Sequence, residues 1–143
     1  MNHLYNIFIK LIDKIILPIL GLFNTKIKRF RKNRLSLIEK IKNEVSHENN
    51  FIWFHVASLG EYEIAVPLIR LIKEKYESKV ILTFFSESGF KLKNRIKEID
   101  YTYYLPLDTK SNAKKFLDII NPELVIFVRS EIWPNYLNEI KKR

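Results

Sequence analysis

Two glutamates, Glu61 and Glu131, have the residue type and the position of acid–base groups. Each follows a run of apolar residues that predicts a buried β-strand, and each precedes a helical pattern. A carboxylate placed there can take a proton from a hydroxyl as that hydroxyl attacks. A second carboxylate can stabilise positive charge that develops during sugar transfer. Plainer interpretations remain open: Glu61 complements a helix dipole, and Glu131 is a capping or solvated acid.

The rest of the predicted fold is arranged around the stretch that contains Glu61. Residues 51–56 predict a buried strand, because large aromatic and β-branched side chains suit a covered, pleated surface. Ser58 and Gly60 then supply small side chains at a change of direction. A helical pattern runs from Glu61 to about residue 76. A strand, a tight turn and a helix start are typical of a reactive group in an α/β protein, although Ser58 also suits a plain helix cap.

Alternating strand and helix patterns continue to the end of the chain. The predicted strands are residues 51–57, 79–85, 102–105 and 124–128. Helices between them predict an α/β, Rossmann-like fold with a parallel sheet and helices on both faces. Ligands of such sheets bind at the carboxyl ends of the strands. Three polar turns follow those ends, at residues 57–61, 86–89 and 129–133.

Smaller features refine this pattern. Pro67 falls inside the first helical stretch, which favours a regular helix that begins after Glu61, because proline is tolerated in a first turn and kinks a helix interior. Another basic, amphipathic helix is predicted from residue 90 to about residue 99. Asp108 or Thr109 is expected to cap the helix that follows the third strand.

The composition excludes several kinds of site. The chain has no cysteine, which rules out disulfides, thiolate catalysis and cysteine-based zinc sites. Its three histidines, His3, His47 and His55, are too scattered to indicate a metal site, and His55 is predicted to be a core residue. With three glycines and no glycine-rich phosphate loop, no dedicated nucleotide site is visible. Helix N-termini remain an alternative place for a nucleotide, and we expect neither a metal site nor a dedicated cofactor site.

The basic character of the chain lies mainly at its N-terminus. The formal net charge is +9, and residues 1–50 hold ten Lys and Arg against four acids. Residues 4–23 are apolar but interrupted by charges, and the longest clean run, residues 15–23, is shorter than the ~20 residues of a spanning helix. An amphipathic helix lying on a membrane surface fits this pattern. The predicted membrane-associated residues are Leu4, Ile15, Ile16, Leu20, Phe23, Lys28, Arg29 and Arg31.

Two alternatives compete with the membrane interpretation. The apolar stretch also suits an ordinary core helix, and the basic cluster at residues 26–34 also suits a nucleic-acid patch. Nucleic acid is the weakest of the three, because the aromatic residues are placed in strands. A second short helix is predicted at residues 35–45. The polar residues 46–50 then mark a boundary between an N-terminal segment, 1–50, and an α/β domain, 51–143.

Four sequence motifs follow one another along the chain. The first is Trp53-Phe-His-Val-Ala-Ser-Leu-Gly-Glu61, followed by Pro67-Leu-Ile-Arg70. The others are Leu82-Thr-Phe-Phe-Ser-Glu-Ser-Gly89, Tyr104-Leu-Pro-Leu-Asp108 and Ser130-Glu-Ile-Trp-Pro-Asn135. In this order they resemble the N-terminal domain of 3-deoxy-D-manno-octulosonic acid (Kdo) transferases. The resemblance covers essentially the whole chain, which makes it more specific than any single motif.

The resemblance implies a GT-B glycosyltransferase at the cytoplasmic face of the cell inner membrane. Such an enzyme moves Kdo from CMP-Kdo to a lipid A precursor, with inversion and without a metal. By motif, Glu61 matches the general base and Glu131 the acid that stabilises the transition state. The residues expected to line the acceptor side are Ser58, Gly60, Ser86, Ser88 and Gly89.

The resemblance also implies a second domain that these 143 residues do not contain. Family members bind CMP-Kdo in a second Rossmann-like domain, so this chain is expected to be the acceptor half and inactive alone. One departure concerns the turn at Glu131, where many members carry a second acid and this chain has Arg129-Ser130. The alternative function is a non-catalytic module that binds lipid or an anionic partner at the membrane surface.

Overall fold

The computed structural model describes residues 2–45, 50–90, 98–129 and 131–143. The chain divides into two compact units. The first comprises Met1–Glu44, Pro106–Ile119 and Ile132–Arg143, and the second comprises Val45–Leu105 and Ile120–Glu131. The sequence placed its boundary at residues 46–50, of which 46–49 lie outside the described residues.

The second unit contains a four-stranded parallel sheet, as the alternating pattern predicted. Its strands are β1 (Phe51–Val56), β2 (Lys79–Phe84), β3 (Tyr101–Tyr104) and β4 (Leu124–Phe127). They lie in the order β3-β2-β1-β4, and every pairing is parallel. The central strand β1 pairs with both β2 and β4, so that Phe54 lies opposite Leu82 on one side and Ile126 on the other.

Alternate residues of the sheet pack against helix α5 (Leu59–Lys75). The cluster consists of Ile52, Phe54, Val56, Val80, Leu82 and Phe84 from the strands with Tyr62, Ala65, Ile69 and Ile72 from the helix. All six residues of β1 are buried, so side chains on both faces of this strand are shielded from water. A strand buried on both faces requires a nearly continuous run of apolar residues, and the sequences of β1 and β2 are both of this kind.

Helix α5 begins earlier than its proline suggested. Ser58 has the extended backbone of an N-cap residue (φ −141°, ψ 172°), and the helix starts at Leu59. Pro67 lies inside the helix, so the prediction of a start after Glu61 is wrong. The ring of Pro67 is exposed, and water can hydrate the carbonyl that the missing N–H leaves without a helical donor.

The other helices agree closely with their predicted positions where they are described. The helix predicted at residues 35–45 is α4 (Leu37–Val45), and the final two are α7 (Lys110–Ile120) and α8 (Pro134–Ile140). After β2 the chain forms a short helix, α6 (Glu87–Phe90). The predicted basic helix ending near residue 99 falls largely on residues 91–97, which lie outside the described residues.

The first unit starts with a helical hairpin. Helix α1 (Asn2–Leu11), a π-helical segment (Ile12–Ile16) and α2 (Leu17–Phe23) follow one another without a break, and α3 is Thr25–Lys32. Asn24 separates the two arms, and its side chain accepts hydrogen bonds from two backbone N–H groups of α3. A Cβ at Gly21 would lie 3.5 Å from the Cα of Lys28, so α2 and α3 pack closely there. In the described ranges, no helix has the length and apolarity needed to cross a bilayer.

Asp108 holds together three parts of the first unit. Its side chain is fully buried and accepts hydrogen bonds from the Tyr5 hydroxyl (2.7 Å) and from the backbone N–H groups of Asn135 (3.1 Å) and Tyr136 (3.0 Å). The last two belong to the first turn of α8, where N–H groups have no helical acceptor. Thr109, rather than Asp108, caps α7, by accepting from the backbone N–H of Asn112.

Burial gives Asp108 an unusual effect on the pH dependence of stability. Burial raises the pKa of this carboxyl above its ordinary value, although its three hydrogen-bond donors oppose part of the increase. The fold therefore favours the protonated form, whose contribution is complete below the unfolded pKa of about 3.9 and is lost as pH rises through the raised folded pKa. We expect the free energy of unfolding, relative to an Asp108→Asn variant, to increase as pH falls from 7 towards 4. Urea denaturation at several pH values checks this, and a constant difference contradicts it.

Candidate active site

The predicted acid–base residues lie beyond neighbouring strands of the second unit. β1 and β4 pair in parallel, with His55 opposite Phe127, so their carboxyl ends lie at the same edge of the sheet. Glu61 follows β1 after a short turn, and Glu131 follows β4. Parallel α/β sheets bind their ligands outside this edge. The strand order therefore gives the two carboxylates a common location, which the sequence alone left to inference.

The side chain of Glu61 turns back towards the end of β1. The backbone N–H of Ala57 donates to Glu61 Oε2 at 2.5 Å, and Glu61 is the third residue of α5. Ser58 occupies the N-cap position but its side chain makes no capping hydrogen bond. In a capping box the glutamate binds the N-cap N–H; here it binds the residue before. An ionised carboxylate offers about four acceptor positions, so this bond leaves capacity for the proton of a hydroxyl.

The turn between β1 and α5 is open at Gly60. This residue is exposed, and a Cβ placed on it would meet no atom within 4 Å. Its φ is not positive, so neither backbone conformation nor packing within the described residues calls for glycine. The missing side chain leaves the start of α5 accessible to a ligand.

The turn after β2 is attached to the turn after β1. The backbone N–H of Ser86 donates to the carbonyl of Ala57 (2.9 Å), and the N–H of Phe85 donates to that of Val56 (3.2 Å). Ser86 thus stands at the same edge of the sheet as Ser58. Ser88 and Gly89 belong to α6, and the placement of the Ser88 side chain lies outside what the structure describes.

Glu131 has a buried histidine beside it. The imidazole of His55 is fully buried, as its strand pattern predicted, and its Nε2 lies 3.4 Å from Glu131 Oε2. The side chain of Glu131 is 20% exposed, so it reaches both the imidazole and solvent. The sequence assigned His55 to the core and missed this pairing. The sequence offered one signal, the position of His55 near the carboxyl end of its strand; the pairing with β4 comes from the structure.

The other ring nitrogen of His55, Nδ1, lies within hydrogen-bonding distance of Thr83 on the neighbouring strand β2. His55 Nδ1 lies 3.1 Å from the Thr83 carbonyl oxygen and 2.9 Å from its hydroxyl oxygen. The indole N–H of Trp53 donates to the same hydroxyl at 2.8 Å, and that hydroxyl lies 3.3 Å from the carbonyl of Phe54. The three side chains are buried, so their polar atoms rely on one another rather than on water.

The site is built from carboxylates and small polar groups. Across the described ranges, the structure has no cluster of three or more His, Asp or Glu side chains that could hold a metal ion. The absence of a metal from the reaction remains a prediction. What the arrangement can supply is a carboxylate positioned by a backbone N–H, and a second carboxylate positioned beside an imidazole.

The predicted membrane-associated residues lie in the first unit. Large apolar side chains recur on the N-terminal helices every three or four residues and are 43–85% exposed; we call them the apolar stripe: Leu4, Ile7, Phe8, Leu11, Ile15, Ile19, Leu22 and Phe23. Leu20 is also exposed, whereas Ile16 is half-buried. On the adjoining helix α3, Lys28 and Arg29 are exposed and Arg31 is half-buried. An exposed apolar stripe argues against an ordinary core helix.

Comparison with known proteins identifies the family. Residues 28–143 match the family described as 3-deoxy-D-manno-octulosonic-acid transferase (kdotransferase). The transferase of that name from Haemophilus influenzae is 28% identical over 138 residues, which are 95% of this chain and 32% of that protein. Those from Rickettsia felis and Aquifex aeolicus are 35% and 30% identical over 70% and 67% of this chain, and 22% and 27% of their own lengths.

The family match extends from residue 28, in helix α3, to the last residue, 143. The chain spans about a third or less of the curated relatives it matches. The family match covers well over half of the chain and includes β1, α5 and the turn of Glu131. The chain therefore belongs to the Kdo transferase family and corresponds to its N-terminal domain.

Proposed function

We propose that this chain is the acceptor-side half of a GT-B enzyme that transfers Kdo from CMP-Kdo to a lipid A precursor in lipopolysaccharide biosynthesis. The observation that carries the proposal is the placement of Glu61 and Glu131 after neighbouring parallel strands, in a chain of this family. The reaction is an inverting displacement. It needs a base on the acceptor and negative charge near the sugar, and it uses neither metal nor cofactor.

Glu61 acts as the general base. Its carboxylate takes the proton of the acceptor hydroxyl as the hydroxyl oxygen bonds to the anomeric carbon of Kdo. The bond from that carbon to the CMP oxygen breaks at the same time, and CMP leaves with the electron pair. Attack on the face opposite CMP inverts the configuration. Ser58, Gly60, Ser86, Ser88 and Gly89 line the acceptor side of this reaction.

Glu131 stabilises the transition state. Positive charge builds on the Kdo ring as CMP departs, and a nearby carboxylate lowers the energy of that charge. CMP-Kdo itself is bound mainly by a second, C-terminal domain that these 143 residues do not include. The relatives have room for such a domain, since the chain covers 32% of the transferase from Haemophilus influenzae.

The size of the native product tests whether that second domain exists. We would isolate the product from its source membranes with an antibody against this domain and measure its intact mass. The proposal predicts a mass well beyond the 17.2 kDa of these residues. A mass of 17.2 kDa contradicts autonomous catalysis and favours the alternative, a lipid-binding module without chemistry, to which the exposed apolar stripe is also suited.

The N-terminal hairpin docks the enzyme on the cytoplasmic face of the inner membrane. The apolar stripe inserts among lipid tails, and the basic residues of α3 contact anionic head groups at about 1 kcal/mol per residue near the surface. Of the stripe residues, Phe23 is the most exposed, at 85%, so its replacement leaves the core unchanged. Docking holds the enzyme at the surface where the lipid acceptor resides.

A charge at the tip of this hairpin is expected to weaken membrane binding. Phe23→Glu should lower the affinity for phosphatidylglycerol vesicles by about tenfold or more, because it removes an apolar contact and adds repulsion from anionic lipid. Co-sedimentation with vesicles measures the change. Ile132→Glu is the matched control, because Ile132 is 72% exposed and lies outside the stripe. Equal effects of the two variants would contradict docking through the hairpin.

A further inference from the structure

We propose that His55 is a positioning residue for Glu131: at neutral pH its imidazole is doubly protonated, and Nε2–H donates to the Glu131 carboxylate. The two atoms concerned, His55 Nε2 and Glu131 Oε2, are 3.4 Å apart. The inference rests on the proposed function only for the role given to Glu131. The protonation state itself is a property of the folded chain and can be tested without any substrate.

The environment of Nδ1 determines the tautomer of the imidazole. A carbonyl oxygen can only accept a hydrogen bond, and the carbonyl of Thr83 lies 3.1 Å from Nδ1, so this contact favours a proton on Nδ1. The Thr83 hydroxyl allows the same assignment. It accepts from the Trp53 indole N–H and has the Phe54 carbonyl within reach for its own proton. The network is consistent with one arrangement in which Nδ1–H donates to Thr83.

A proton on Nδ1 affects the interaction of the other ring nitrogen, Nε2, with Glu131. A neutral imidazole protonated at Nδ1 presents a lone pair at Nε2. Glu131 Oε2, 3.4 Å away, also presents lone pairs when the carboxyl is ionised. Two acceptors facing each other beside a fully buried ring repel, and burial weakens the screening of that repulsion. One additional proton between Nε2 and Oε2 converts the repulsion into an attraction.

We expect this additional proton to bind the His55 imidazole rather than the Glu131 carboxylate. The ordinary pKa of histidine exceeds that of glutamate by about 2 units. The bond from Nδ1–H to the Thr83 carbonyl makes the ring more basic, as such bonds do for metal-bound histidines. Glu131 is 20% exposed, so water supports its negative charge. Among the described residues, Thr83 on β2, Phe127 on β4 and Glu131 lie beside the ring, and Glu131 is the titratable one of these three.

The pair has a defined consequence for the proposed reaction. A carboxylate bonded to a buried imidazolium keeps its charge and a fixed orientation, because the ring is held by two strands through Thr83 and its own backbone. Glu131 then meets the developing positive charge without first losing a proton or changing rotamer. Preorganisation of this kind is how fixed charges stabilise transition states.

Nitrogen-15 NMR of the imidazole tests the proposal. The chain, labelled in its histidines and carrying H3Q and H47Q, keeps His55 as its single imidazole. His3 is exposed and belongs to the first unit, and circular dichroism checks that the doubly substituted chain retains its fold. We expect both ring nitrogens of His55 to be protonated at pH 7. In the same background Glu131→Gln should leave a proton on Nδ1 alone and lower the titration midpoint by one pH unit or more.

A matched control and two contradicting outcomes define the test. Glu123→Gln removes an acid at the opposite end of β4 and should leave the His55 titration unchanged. A neutral ring at pH 7, whichever nitrogen carries its proton, or equal effects of Glu131→Gln and Glu123→Gln would each overturn the proposal. If the NMR result holds while the complete enzyme transfers no Kdo, the pair stands and the proposed function fails instead.

Discussion

Replacing Glu61 by glutamine should lower the rate of Kdo transfer by the complete enzyme ~10²–10⁴-fold, the usual contribution of a general base. The amide of glutamine has no basic site for the proton of the acceptor hydroxyl. Its carbonyl oxygen can still accept the backbone N–H of Ala57, so the start of α5 keeps the hydrogen bond that Glu61 makes. The loss should therefore be chemical rather than structural.

The neighbouring helix residue Glu63 provides the control. It is exposed on α5, two positions after Glu61, so Glu63→Gln removes the same charge from the same helix. We expect this variant to keep nearly normal turnover. Rates would be measured with CMP-Kdo and a lipid A precursor at saturating concentrations. Turnover of Glu61→Gln close to that of Glu63→Gln would contradict the assignment of Glu61 as the base.

Asp108→Ala should cause the largest loss of stability among the substitutions considered, about 3–5 kcal/mol in the free energy of unfolding. The change leaves three donors without their acceptor: the Tyr5 hydroxyl and the backbone N–H groups of Asn135 and Tyr136. Buried donors that lose their partner cost about 1–3 kcal/mol each, and relief of the buried charge offsets part of the sum.

Asp118, an exposed aspartate, is the control that distinguishes the loss of buried hydrogen bonds at Asp108 from the loss of a negative charge alone. Asp118 lies on the surface of α7, where it pairs with Lys114 and Arg143. Exposed pairs contribute little, so Asp118→Ala should change the free energy of unfolding only slightly. Urea denaturation of the two variants and the parent chain gives the comparison. If Asp108→Ala is no more damaging than Asp118→Ala, the account of the first unit is wrong.

Much of the fold could be predicted because short stretches of sequence determine its strands and helices. The apolar runs of β1 and β2 and the helical spacing in α5 depend on residues close in sequence. The alternation of strands and helices then favours parallel pairing. Pro67 misled the prediction because its cost depends on exposure, which a local pattern does not reveal. Ser58, which the sequence also offered as a helix cap, was the better guide, because it is the N-cap residue and α5 starts at Leu59.

The groups that support the site could not be predicted in this way. His55 and Glu131 come together because β4 pairs with β1, and nothing near either residue specifies that partner. Asp108 shows the same limit: the residue that hydrogen-bonds to it, Tyr5, is 103 positions away. From the neighbouring sequence alone, His55 is predicted to be a core residue and Asp108 a helix cap. Their roles follow from contacts that only the folded chain establishes.

The central claim is that this domain belongs to an enzyme that transfers Kdo with Glu61 as its base. The most direct measurement is mass spectrometry of a lipid A precursor incubated with CMP-Kdo and the complete native protein, in the presence of EDTA. We expect the lipid to gain the mass of one or more Kdo residues, and Glu61→Gln to nearly abolish the gain. A lipid of unchanged mass, with the intact protein and donor both verified, would contradict it.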